Sequence, residues 1–319
     1  MTVIEIENLT KDFYSGFWVK HPVRALDHLS LEINQGEIFG FLGPNGAGKS
    51  TTLKILMNLL RPTSGSARIL GKSVESVSMH QAIGYLPENP YFYDYLTPEE
   101  LLTYAGKLFG LHAPDLTKKV DTLLESVGLA DARKIQLRKF SKGMVQRIGI
   151  AQAIINDPEV VFLDEPMSGL DPLGRMDVRK IILDLKSRSV TVFFSSHILP
   201  DVEAICDRIA ILNKGKLQQA GTLDEILKMK IEGHEAILAR GSEDMLSFLR
   251  GCCDDVRPMG DRLQVRVRNQ EQMRRLLSLT STHGLELISL NPIRPSLEEY
   301  FQSAVEGYKK PEASSQKPE

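Results

Sequence analysis

The chain has 319 residues, 42% of them hydrophobic and 25% charged, with a formal net charge of −2. That is enough for one large domain or two unequal ones with a real core, and the charge balance gives no electrostatic ground for a nucleic-acid partner. Three cysteines, Cys206, Cys252 and Cys253, form no disulfide framework or metal knuckle and read as free thiols of a reducing cytosol.

The N-terminus "MTVIEIENLTKDF" enters a strand pattern directly, with no basic start and apolar stretch of a signal peptide. Strand-like runs follow at Val3–Leu9, Leu29–Ile33, Glu37–Leu42, Ala82–Leu86, Val160–Asp164 and Val190–Ser195. "VVFLDE" and "VTVFFSS" read as strands buried on both faces, as in a parallel sheet flanked by helices. No apolar run approaches the ~18 residues that span a bilayer. Between Tyr91 and Asp157 the strand signals stop. Thr97 opens "TPEE", with an N-cap, a proline in the first helical position and a capping Glu100. Further helices are expected from Thr117 to Val127 and from Lys142 to Ile155. Beyond Gly221, strands "EAILAR", "DRLQVRV" and "LELISL" alternate with helical "SEDMLSFLR" and "NQEQMRRLLSL". Leu263, Val265 and Val267 alternate with Gln264, Arg266 and Arg268, so the late arginines read as the solvated face of a half-buried strand. The expected organisation is an α/β domain over 1–230 with a helical subdomain at about 91–157. A small α+β domain over 231–302 and a disordered, lysine-rich tail over 303–319 complete it.

"GPNGAGKS", Gly43 to Ser50, fits G-x-x-x-x-G-K-[S/T] and lies between the strand "EIFGFL" and the helical "STTLKILMNLL". Glycines let the backbone of Gly43, Pro44, Asn45, Gly46, Ala47 and Gly48 wrap round phosphate, with the N–H groups of the helix start, Thr51 included, facing the anion. Lys49 should reach the β- and γ-phosphates and the Ser50 hydroxyl should bind Mg²⁺. At the end of "VVFLDEP", Asp164 can hold the Mg²⁺ water shell, and Glu165 can orient and deprotonate a water. These features alone describe any P-loop NTPase.

"FSKGMVQR" at 140–147, "SGLDP" at 168–172 and "SSH" at 195–197 narrow it. With the motifs above, in this order and spacing over residues 3 to about 222, they resemble the nucleotide-binding domain of ATP-binding-cassette (ABC) proteins. The resemblance implies an ABC-type core with a helical subdomain that carries the signature, and two cassettes joined head to tail. ATP would lie between one phosphate loop and the partner's Ser141 and Gly143. The family's usual L-S-G-G-Q is here Phe140-Ser141-Lys142-Gly143-Met144. Phe13 matches the aromatic that stacks on adenine, with Tyr14 as the neighbouring candidate and a core aromatic as the rival reading. His197 matches the histidine that bonds the γ-phosphate, and Asp171 the aspartate that links the two sites. Glu88 stands where the family usually has the glutamine that reaches Mg²⁺. "YLPE" with "SKGM" looks like bacterial export cassettes of the drug and polysaccharide type, and Pro295 to Phe301 resembles the close of their accessory domain.

The expected function is ATP hydrolysis with MgATP. The expected partners are a second copy or a paralogous cassette and an integral membrane permease, with the chain cytoplasmic and peripheral on the inner face of the membrane. A soluble ABC ATPase acting on ribosomes or DNA is the first rival. Such proteins usually carry two cassettes or a long coiled-coil insertion, and this chain shows one cassette and no sustained heptads. A P-loop kinase or GTPase is the second rival, and the signature turn argues against it.

Overall fold

The computed structural model describes residues 1–15, 21–228, 233–239, 246, 249–251, 253, 255–283, 286–293, 297–298 and 301. They fall into two compact units, Met1–Leu223 and Asp224–Ser303.

In the first unit the central strands are β3 (Ile38–Leu42), β6 (Ile83–Leu86), β7 (Val160–Asp164), β8 (Thr191–Ser196) and β9 (Arg208–Asn213), with the edge strand β10 (Lys216–Thr222). Every residue of β3, β7 and β8 is buried, which is why these segments are unbroken apolar runs rather than alternating ones. The order is β10-β9-β3-β8-β7-β6. All pairings are parallel except β9 with β10. Parallel pairing brings the carboxyl ends of β3, β7 and β8 to one edge, with Leu42 opposite Ser196 and Asp164 opposite Ser195. Ligands of open α/β sheets bind at that edge.

A second, antiparallel sheet has the order β2-β1-β4-β5, from β1 (Thr2–Ser15), β2 (His21–Asn34), β4 (Ser64–Ile69) and β5 (Lys72–Ser73). Here the expectation falls short: Val3–Leu9 and Leu29–Ile33 are the apolar inner halves of much longer strands, and β4 carries only two buried residues, Ala67 and Ile69. Their outer parts are held by ladder bonds rather than by burial, so they leave no apolar period. Between the sheets' aromatic and aliphatic faces, Phe41, Phe162 and Phe193 pack with Ile4, Leu29 and Ile69 in one core.

No strand is present in 91–157 among the described residues. Instead α2 (Pro98–Leu108), α3 (Asp115–Ser126) and α4 (Lys142–Ala153) occupy it. The Thr97 hydroxyl accepts from the Glu100 N–H at 3.3 Å, and the Glu100 carboxylate accepts from the Thr97 N–H at 2.8 Å, a reciprocal capping box. The remaining helices of this unit are α1 (Lys49–Leu56), α5 (Pro172–Ser187) and α6 (Leu199–Ile205), and α7 (Leu223–Lys228) follows at the junction of the two units.

The second unit is the antiparallel sheet β12-β13-β11-β14, from β11 (Gly233–Ala239), β12 (Asp255–Met259), β13 (Arg262–Val267) and β14 (Leu287–Ile293), with α8 (Gln270–His283). Leu263, Val265 and Val267 are fully buried with Ala236, Leu238 and Leu276, while Arg262 and Arg266 are exposed. Strand β12, which has a proline and two charges in five residues, was not expected. Most of the "SEDMLSFLR" helix, part of Pro295 to Phe301, Cys252 and the 303–319 tail lie outside the described residues. Cys206 is a free thiol, and Cys253 is buried.

Candidate functional site

Strand β3 ends at Leu42 and α1 starts at Lys49. Gly48, the N-cap, has φ 109° and makes no side-chain capping bond, so the first N–H groups of α1 are left for whatever lies in the loop. A Cβ on Gly48 would sit 2.6 Å from the Ala25 carbonyl oxygen, so only glycine fits there. The loop borders a cavity of about 630 Å³ lined by residues 44–51 with Ala25, Glu88, Glu165, Ser168 and His197. Gly43 is not in the lining, and its carbonyl accepts from Lys49 Nζ at 2.7 Å.

Three buried charges meet beside this cavity: Lys49, Asp164 and Glu165. Glu165 Oε1 lies 3.2 Å from Lys49 Nζ, and Oε2 lies 2.7 Å from His197 Nδ1. Both carboxylate oxygens therefore have a cationic or donor partner, which such burial requires. The Glu165 N–H donates to Ser195 Oγ at 2.9 Å, and Ser195 Oγ donates to Asp164 Oδ1 at 2.6 Å. Ser50 Oγ donates to the same oxygen at 3.2 Å. Burial, and then the Asp164 charge, push the Tyr85 hydroxyl up to about 12, so it stays protonated at neutral pH. Glu165 has φ 50°, a left-handed conformation that costs a non-glycine residue on the order of 1–2 kcal/mol. Such strain persists only where the surroundings over-determine it, and here a backbone bond and two side-chain contacts fix the residue.

The description "ABC transporter" matches residues 26–168. A cyanobacterial protein of Synechocystis named an uncharacterised ABC transporter ATP-binding protein is 49% identical over 94% of this chain and 83% of its own length. The bacitracin transport ATP-binding protein of Bacillus licheniformis is 34% identical over 96% of this chain and 98% of its own. The chain belongs to the ABC transporter family. It is an ATP-binding subunit and an ATPase. Among solved structures, an ATP-binding subunit of an ABC transporter aligns with TM-score 0.61 and 31% identity over 70% of this chain and 91% of that one. A cassette solved as a dimer with ADP and phosphate has TM-score 0.63 and 23% identity over 69% of this chain and 98% of its own, a likeness of fold.

In this ABC subunit the expected residues separate into two sets. The phosphate-loop residues, Glu165 and His197 gather at the cavity, with Asp164 bonded to Ser50 beside it. The metal set fits Mg²⁺ in kind. Ser50 Oγ and Asp164 Oδ1, both hard oxygens, lie 3.2 Å apart, and exposed Glu88 lines the cavity that Ser50 borders, while no cluster of three or more His, Cys, Asp or Glu is present among the described residues. Mg²⁺ takes few protein oxygens and keeps phosphates and waters for the rest. Ser141, Gly143 and Asp171 do not line the cavity. Ser141 Oγ caps α4, accepting from the Met144 N–H at 3.3 Å, and Asp171 Oδ1 caps α5, accepting from the Gly174 N–H at 3.1 Å. Phe13 also stands outside the lining, exposed on β1 with Lys11 Nζ 5.2 Å from its ring centre. Tyr14 is more exposed still, and Ala25 is the β2 residue that borders the cavity. Ser168 and Ser195 were not singled out from sequence, although both belong to runs that were. No helix among the described residues is long and apolar enough to cross a membrane.

Proposed function

We propose that this ATPase is the energy-supplying subunit of an exporter, cytoplasmic and peripheral on the inner face of the cell membrane. It closes head to tail on a second copy or a paralogous cassette and drives a separately encoded permease. The observation that carries the dimer is the division of the site: Ser141 and Lys142 are exposed at the start of a helix that does not reach its own chain's cavity. That helix start offers a serine-capped positive end to a phosphate held by another copy.

Within one copy, the uncapped N-terminus of α1 and Lys49 take the phosphates. Ser50 and Asp164, with Glu88 nearby, would hold Mg²⁺, which when bound offsets the charge of the β- and γ-phosphates. Glu165 orients the attacking water and takes its proton as the oxygen bonds to the γ-phosphorus. The bond from that phosphorus to the bridging oxygen breaks, and ADP leaves with the electron pair. His197, fixed through Nδ1 by Glu165, has Nε2 left for the γ-phosphate. The Lys49–Glu165 pair at 3.2 Å is a contact for which an incoming phosphate competes, and that competition would free the Glu165 carboxylate for water.

Two adjoining apolar grooves of about 320 and 330 Å³ share Ala105, Leu108 and Gln152. Tyr91, Tyr93, Tyr104, Leu108 and Phe109 stand exposed around them. Clustered exposed aromatics of this kind mark protein contacts, and the segment from Glu88 to Tyr95 runs from the nucleotide cavity to this patch. This supports a permease docking there. The direction of transport rests on the "YLPE" and "SKGM" resemblance and agrees with relatives named for bacitracin and multidrug transport. The test is retention on membranes that hold the permease encoded beside this gene. The parent chain should be retained, and Tyr93→Ser with Phe109→Ser should be released. Retention of the double variant would move the docking surface elsewhere, and a parent chain that no neighbouring permease retains would contradict the subunit reading.

A further inference from the structure

Asp201, in the first turn of α6, is a buried carboxylate that none of the steps above uses. It is 3% exposed. Its Oδ1 lies 3.7 Å from Arg179 Nη1 and its Oδ2 lies 4.0 Å from Arg175 Nη1. Oδ2 has no hydrogen-bond partner. A charged pair that is fully engaged sits at about 2.7–2.9 Å, so Asp201 is buried with Oδ2 unbonded and both guanidiniums beyond direct contact, an arrangement short of its own minimum. The deficit is about 1 Å at each guanidinium.

What those guanidiniums hold gives the geometry its meaning. Arg175 Nε donates to the Leu170 carbonyl at 3.1 Å, the residue just before Asp171. Asp201 follows His197 by four residues, across a turn in which the Ile198 N–H donates to Ser196 Oγ at 2.9 Å. One side chain, Arg175, therefore faces the loop at 168–171 with one nitrogen and the His197 segment with another. Arg179, one turn further along α5, faces the same carboxylate.

We propose that Asp201 is a positioning residue for ATP hydrolysis, coupling the 168–171 loop to His197 through Arg175 and Arg179. The proposal rests on the reading of Asp171 as facing the partner copy and of His197 as facing the γ-phosphate. When the partner presses on the 168–171 loop, Arg175 moves with the Leu170 carbonyl it holds, and its Nη1 closes on Asp201. The newly made charge-assisted bonds stiffen α6 and, ahead of it, keep His197 in its contact with Glu165 through the reaction. Closure of the dimer thereby sets the histidine, while the nucleotide's own binding loop is untouched.

Asp201→Asn keeps the shape and removes the charge. In the purified full chain turning over MgATP, kcat should fall about ten-fold while the ATP KM changes less than about two-fold, the split expected when only a transition-state interaction is lost. Arg175→Lys keeps a positive charge but cannot hold Leu170 and Asp201 together, and should do the same. Asp201→Glu should recover most of the rate. On a His197→Ala background, followed by single turnover with excess enzyme, Asp201→Asn should cost nothing further, because residues acting through one another are not additive. A parent kcat in Asp201→Asn, or full additivity with His197→Ala, overturns the proposal. A His197→Ala chain that turns over at the parent rate instead overturns the reading of His197. Should Asp201→Asn fail to fold, Arg175→Lys decides, and an unchanged kcat there overturns the coupling.

Discussion

Gly48 of the phosphate loop and Gly143 of the signature turn belong to short motifs of the same sort, yet the fold needs only one of them. Gly48 has φ 109° and an Ala25 carbonyl oxygen 2.6 Å from where a Cβ would be. Gly143 begins an ordinary helix, and the nearest atom to its missing Cβ is Leu170 Cδ2 at 3.9 Å. The first glycine is explained by its own chain. The second leaves room that its own chain does not fill, at an exposed helix start. The difference is what the proposed head-to-tail dimer requires of a signature turn that meets another copy.

The largest effect should come from the catalytic side of this comparison. Glu165→Gln keeps the shape and the hydrogen bonding but not the base, which typically contributes 10²- to 10⁴-fold. Turnover of MgATP should fall by about that factor, with ATP affinity preserved or raised by loss of a negative charge near the γ-phosphate. The ATP-bound dimer should then persist on size-exclusion chromatography. Turnover at the parent rate would remove Glu165 from the mechanism.

Lys49→Ala should come next. It deletes a charge from the loop where charge-assisted bonds contribute roughly 1.5–3 kcal/mol, so ATP affinity measured by calorimetry should fall about ten- to a hundred-fold. Unchanged affinity would take the lysine out of the phosphate site.

The glycine pair itself gives the smallest and sharpest contrast. Gly48→Ala forces a side chain into a left-handed, crowded position and should lower stability by about 1–3 kcal/mol in denaturant melts. Gly143→Ala adds helix propensity and should be neutral or stabilising by up to about 1 kcal/mol, while weakening ATP-dependent dimerisation. Equal destabilisation by both would erase the distinction between the two loops.

Legibility in the sequence follows the same divide. The β3–loop–α1 unit and the Thr97 capping box could be read directly, because each is fixed by residues close together in the chain. The antiparallel sheet could not, since β4 and the outer half of β2 are held by backbone pairing and leave polar side chains in water. At the site, His197 was named through motif order, but its 2.7 Å contact with Glu165 depends on parallel register between β7 and β8. Arg175 and Asp201 gave no signal at all, being 26 residues apart on two helices. Phe13, matched to the adenine only through motif order, is exposed on β1 outside the lining of the phosphate-loop cavity, and no local pattern fixes where an exposed strand end lies relative to that loop.

The central claim is that each ATP site is completed by the signature turn of another copy. It is tested by mixing two chains, both carrying Glu165→Gln so that closed dimers persist: one with Gly143→Asp, the other with Lys49→Ala. Each alone should run as a monomer in MgATP, the first because its turn blocks the partner and the second because its loop binds nucleotide weakly. Gly143→Asp should still bind ATP as a monomer, since its own loop is intact and a Cβ there meets nothing closer than 3.9 Å. The mixture contains heterodimers with one site intact in both halves, so an ATP-dependent dimer should return on size-exclusion chromatography. A mixture that stays monomeric, or a Gly143→Asp chain that cannot bind ATP by itself, would contradict completion in trans.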